Sequence, residues 1–141
     1  MTEVSFYTFA DDKLAVARQL TAKAFARGMQ VMLYAPDPAL AQSLDTLLWT
    51  TPAQGFLPHC RDTHPLASQT PVLIGENVDA IKQADVMINL HHERPPTFSR
   101  FDRLLEIVGV ADDDVEQGRQ RYRFYRERGY ALSTVDLRKT R

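Results

Sequence analysis

The run from Val4 to Tyr34 constrains the fold more than any other part of the chain. Val4 to Ala10, Val-Ser-Phe-Tyr-Thr-Phe-Ala, is dense in aromatic and β-branched residues and reads as a strand. Asp11 and Asp12 follow, placed to cap a helix. Leu14, Ala17, Thr21, Ala24 and Phe25 mark one face of that helix, and Gly28 ends it. Gln30 to Tyr34 is a second strand, apolar at nearly every position, as a strand covered on both faces would be. Strand, helix and strand in succession make a βαβ unit with a right-handed crossover, and the two strands are expected side by side.

The alternation continues. Pro36-Asp37-Pro38 opens a second helix with Leu40, Leu44, Leu47 and Leu48 on its apolar face, ending near Trp49 to Pro52. Ala53 to Thr70 reads as irregular, Pro71 to Gly75 as a third strand, Asn77 to Gln83 as a short helix and Asp85 to Leu90 as a fourth strand. Beyond Pro95 and Pro96, the positions of Phe98, Phe101, Leu104, Leu105 and Val108 predict a helix over Thr97 to Val108. Asp112 to Leu132 reads as one further helix, stopped by a left-handed cap at Gly129, and Ala131 to Leu137 alternates like a last strand. The expected class is α/β: a three-layer Rossmann-like fold, its mostly parallel central sheet covered by helices on both faces. A length of 141 residues fits a single domain, 1–141.

Charge and composition exclude several functions. A net charge of -1 argues against bulk electrostatic binding of nucleic acid, so DNA is expected to be met only indirectly. The single cysteine, Cys60, rules out an internal disulfide. No apolar run approaches the ~20 residues that cross a bilayer, and no basic segment followed by an apolar one opens the chain. The cytoplasm is the expected location.

A doubly wound sheet invites a nucleotide, but the residues argue against one. The first strand-to-helix turn, Thr8-Phe9-Ala10-Asp11-Asp12-Lys13, has no glycine and sets two carboxylates where a pyrophosphate would sit. His59, Cys60 and His64 lie close in sequence, as do His91, His92 and Glu93. Adjacent His and Cys ligands reach one tetrahedral ion with difficulty, and no base can be placed for a Cys60 nucleophile. No metal, cofactor or catalytic residue is expected.

The Asp112 to Leu132 stretch carries the strongest functional signal. Three aspartates and Glu116 sit at the positive end of the helix dipole, and five arginines follow toward the negative end. Val115, Gly118, Tyr122 and Tyr125 form one stripe, and Arg119, Tyr122, Arg123 and Arg126 an adjoining one. An aromatic stripe bordered by guanidinium groups suits a ligand that is both acidic and aromatic. The competing assignment makes Tyr125, and with even weight Tyr122, core residues, and the arginines a solvated, dipole-favoured face.

These pieces together resemble the chi subunit of bacterial DNA polymerase III holoenzyme over nearly the whole chain. The resemblance runs through Val4-Ser5-Phe6-Tyr7, Leu44-Asp45 with Leu48-Trp49, and Pro52 with Phe56-Leu57-Pro58-His59. It continues through Ile88-Asn89-Leu90 with Pro95, Phe101-Asp102-Arg103 with Glu106-Ile107-Val108, and Arg119 through Tyr122-Arg123-Phe124-Tyr125 to Tyr130. It implies a non-catalytic clamp-loader accessory subunit that links the replicase to single-stranded DNA-binding protein, usually with a small partner called psi. The disordered acidic tail of that protein ends in phenylalanine with its free carboxylate. Arg119, Tyr122 and Arg123 match family positions of the tail pocket, and Arg126 is added from helical spacing. Some relatives carry another basic residue where this chain has Val115. Trp49, Pro52 and Phe56 match the region that meets psi; Trp49 competes for the simpler role of covering the core end of its helix. A repair helicase is a further possible partner. The alternatives are a nucleotide-binding enzyme or sensor on a Rossmann-like sheet, and a direct single-strand binder with a steep salt dependence.

Overall fold

The structure is a computed structural model and describes residues 1–50 and 57–139. Its centre is a seven-stranded sheet in which every pairing is parallel. The strands are β1 (Glu3–Ala10), β2 (Val31–Tyr34), β3 (His59–Arg61), β4 (Val72–Gly75), β5 (Val86–Asn89), β6 (Arg103–Gly109) and β7 (Ala131–Asp136), in the order β3-β4-β2-β5-β6-β1-β7. Among the described residues three α-helices accompany them: α1 (Lys13–Ala26), α2 (Pro38–Thr50) and α3 (Asp112–Glu127).

Parallel strands need crossover connections, and these divide the core into two layers. Val31, Leu33, Val72, Ile74, Val86, Ile88, Leu105 and Ile107 point to one face, where α1 and α2 bring Ala17, Ala24, Ala41, Leu44 and Leu48. Val4, Phe6, Met32, Leu73, Met87, Leu104 and Val108 point to the other, where Tyr125 of α3 and, from the segment before β6, Phe98 and Phe101 close over them. Asp12 caps α1 as its sequence suggests, its carboxylate accepting from Ala15 N at 3.1 Å.

Five expectations are corrected. β1 and β2 are not neighbours: β1 pairs with β6 and β7, β2 with β4 and β5, so β5 and β6 lie between them. The βαβ pattern specifies a crossover but not how many strands the helix spans, and α1 packs against both β6 and β2. Thr97 to Val108 is not a helix. A single 3-10 turn, Phe98–Arg100, leads into β6, a strand between β5 and β1. Leu104, Leu105, Ile107 and Val108 are all buried because the strand is covered on both faces, and an apolar run of that kind satisfies helical spacing by accident. Within the stretch taken as irregular, His59–Arg61 adds to β4 as the edge strand β3. The short helix expected at Asn77 is one 3-10 turn, Val78–Ala80. α3 ends at Glu127, with Gly129 at φ 80° and Tyr130 N returning to Tyr125 O at 3.2 Å, so Leu132 belongs to β7.

Candidate functional site

α3 approaches the sheet closely because Gly118 has no side chain. A Cβ there would stand 2.8 and 3.1 Å from the two methyl groups of Val108 on β6. Tyr125, two stripe positions along, is fully buried and packs tilted against Phe6 of β1 at 6.0 Å between centroids. Tyr122 is half-buried and meets Phe6 edge-on at 5.2 Å. Tyr125 is therefore core, and Tyr122 walls an opening beside it.

That opening is a groove of about 250 Å³ between α3 and the strands β1 and β7. Phe6 forms its floor, Val115, Gly118 and Tyr122 its helical side, and Thr134 of β7 its outer side. Arg119 lines the mouth with its side chain 71% exposed; the nearest acid, Glu116, is 3.9 Å away at the long limit of an ion pair. The guanidinium is thus available to an incoming anion above an apolar floor. Arg123 and Arg126 are exposed on the same helix and stand outside the groove lining.

A second feature of α3 was invisible in the helical pattern. Arg121 turns inward and is buried. Its Nε donates to Glu106 Oε1 at 3.0 Å and its Nη1 to the His92 carbonyl at 2.6 Å. Glu106, in the middle of β6, also accepts from Asn89 Nδ2 at 2.8 Å and from the Tyr125 hydroxyl at 2.6 Å. Burial pushes the Glu106 carboxyl above the ordinary carboxylate value, with Arg121, Tyr125 and Asn89 opposing the shift. Burial and the neighbouring Glu106 push the Tyr125 phenol upward. The tetrad ties β5 and β6 to α3, the helix that carries Arg119 and Tyr122. The one signal for it in sequence is an acid within an apolar strand and an arginine off the exposed stripe.

At the other end of the sheet, Trp49 is 59% exposed and touches the His59 ring edge-on at 4.9 Å. His59 is buried, its Nδ1 2.6 Å from the Leu57 carbonyl and its Nε2 3.5 Å from Asp45 of α2. Trp49 thus projects outward beside the edge strand. Pro52 and Phe56 lie outside the described residues. Among the described residues no three of His, Cys, Asp and Glu converge as a metal site, and no helix is long and apolar enough to cross a membrane.

Fold and site define a class: a Rossmann-like α/β domain without a glycine-rich phosphate cradle, with an apolar groove that has a guanidinium at its mouth. A family model described as DNA polymerase III chi subunit, HolC, matches residues 1–133. The chain is 37% identical over 137 residues to the DNA polymerase III subunit chi of Pseudomonas aeruginosa, covering 94% of each. It is 28% identical over 123 residues to that of Haemophilus influenzae (86% of this chain, 85% of the relative) and 27% over 144 residues to that of Escherichia coli K12 (96% and 98%). The chain belongs to the DNA polymerase III chi subunit family, as an accessory component of the polymerase complex that is not itself catalytic.

Proposed function

We propose that this chain links DNA polymerase III to single-stranded DNA-binding protein, its groove taking an acidic peptide tail that ends in phenylalanine. The observation that carries the proposal is Arg119 at the mouth of an apolar groove floored by Phe6 and walled by Tyr122. A terminal carboxylate meets the guanidinium and the phenyl ring fills the groove. Arg123, one turn on and exposed, attracts the preceding acids; Arg126 stands further out. The region of Trp49, Pro52 and Phe56 is the surface for a psi-like subunit or a helicase, supported by the outward-facing indole of Trp49.

Ordering a disordered tail opposes binding, so micromolar affinity, about -8 kcal/mol, is expected. Fluorescence anisotropy of a labelled acidic peptide ending in phenylalanine tests this. Arg119→Glu and Arg123→Glu should each remove most binding, as should deleting the terminal phenylalanine, and added salt should weaken it. Equal binding by wild type and both variants, or by the peptide without phenylalanine, would refute the assignment.

A further inference from the structure

We propose that the acidic tail leaves the groove as an eighth, parallel strand along the outer edge of β7, its chain passing Arg123 and Arg126. This deepens the tail-binding function proposed above and rests on it. β7 is an edge strand that pairs with β1 alone, in unbroken register from Glu3 with Ala131 to Thr8 with Asp136. Sheet edges are commonly shielded by a proline, a lysine, a bulge or a covering element. β7, Ala-Leu-Ser-Thr-Val-Asp, has no proline or lysine, and Ala131, Ser133 and Thr134 are exposed.

A hydrogen bond shows which of its backbone groups face outward. The Thr8 hydroxyl on β1 donates to the Val135 carbonyl at 3.4 Å, so Val135 turns its backbone toward β1. Backbone N–H and C=O groups point to alternate sides along a strand. Ser133 therefore shares the inner side with Val135, while Leu132, Thr134 and Asp136 present theirs to the outer edge. Among the described residues no strand pairs with that edge. Thr134 also walls the groove. A peptide whose terminal ring sits in the groove accordingly has backbone donors and acceptors of β7 beside its own main chain.

Charge sets the direction. α3 runs opposite to the strands, with Asp114 at the Gly109 end of β6 and Tyr125 against Tyr130, just before β7. Arg119, Arg123 and Arg126 follow one another from the groove toward the start of β7. At the far end of β7 stand Asp136, Asp11 and Asp12; Arg138 there is held by Asp136 at 2.8 Å, with Lys139 close by. An acidic chain is drawn toward the arginines, so it runs parallel to β7 with its C-terminus in the groove. The spacing agrees. Along the helix Arg123 lies about 6 Å and Arg126 about 10 Å beyond Arg119. In an extended peptide alternate side chains share a face, about 6.6 Å apart. With the terminal ring turned to α3, the second and fourth residues before it face Arg123 and Arg126, and the first and third face away.

The experiment uses the full chain and an acetylated peptide of aspartates ending in phenylalanine. Amide hydrogen exchange followed by NMR should slow at Leu132 and Thr134 when the peptide binds, and stay unchanged at Asp136, beyond the groove. N-methylating the peptide amides one at a time should weaken binding by roughly fivefold or more at every second position and little at those between, because alternate N–H groups face β7. Asparagine in place of aspartate should weaken binding more at the second and fourth residues before the terminus than at the first and third. Slowed exchange at Asp136 in place of Leu132 would mean the opposite direction. Unchanged exchange at Leu132 with no alternation on N-methylation would mean that the tail leaves the groove into solvent. Slowing that grows with protein concentration and needs no peptide would assign the edge to a second copy of this chain. Each of these three results would overturn the added strand. A peptide that does not bind at all would instead overturn the tail-binding function itself, and the strand with it.

Discussion

Arg121 of α3 and Glu106 of β6 meet at 3.0 Å inside the protein, one 4% exposed and the other fully buried. The pair is the ionic centre of a tetrad completed by Asn89 and Tyr125, and it anchors the helix on whose outer side Arg119 and Tyr122 form the groove. Neighbours on one helix thus divide the work: Arg121 holds the helix down, and Arg119 faces outward.

Replacing Arg121 by Met should destabilise the fold by about 3–5 kcal/mol at pH 7, because Glu106 is left buried without its counter-charge. Urea unfolding followed by circular dichroism measures this. A loss below 1 kcal/mol would mean that the carboxyl takes a proton at little cost, or that water reaches it.

Glu106→Gln should behave differently. A glutamine in the same orientation keeps Oε1 for Asn89 and Arg121 and donates to the Tyr125 oxygen. Because the folded-state value of Glu106 is raised, the native state holds more proton than the unfolded chain between the ordinary and the raised value. This group therefore favours the fold most at low pH, and its contribution falls as pH rises through that window. The stability of Glu106→Gln relative to wild type should accordingly improve as pH rises from about 4.5, the ordinary glutamate region. Unfolding midpoints at a series of pH values test the sign; the opposite trend would show that the Arg121 attraction outweighs burial.

Gly118→Ala should cost about 1–3 kcal/mol by overpacking, since the added methyl meets both methyls of Val108. The same lift of α3 changes the wall of the groove, so tail-peptide affinity should fall in a variant that remains folded. Unfolding and anisotropy on the same sample separate the two effects.

Trp49→Ala should cost about 0.5–1.5 kcal/mol, because the exposed indole still meets the buried His59 ring edge-on at 4.9 Å. If the region docks a psi-like subunit, the same change should weaken that complex by about 2 kcal/mol. Calorimetric titration with the partner checks it, and unchanged affinity would move the interface elsewhere.

The sequence by itself determined the α/β class, five of the seven strands at least in part, and the exposed side of α3. Each follows from local chemistry: β-branched runs extend, carboxylates and glycines bracket helices, and residues three or four apart share a helical face. Arg119 and Tyr122 were legible for that reason. The sequence did not reveal that two strands, β5 and β6, lie between β1 and β2, because a crossover helix records its hand but not its span. Nor did it reveal β6, where burial on both faces removes the alternation that marks a strand and leaves a spacing a helix would share. With β6 misassigned, Glu106 had no partner to suggest Arg121. The floor of the groove was hidden too, for Phe6, Thr134 and Phe9 reach it only through the pairing of β7 with β1 and a bulge within β1. Contacts between residues far apart in the chain depend on which strands pair and in what register, and that choice is made by the packing of the whole sheet rather than by any one segment.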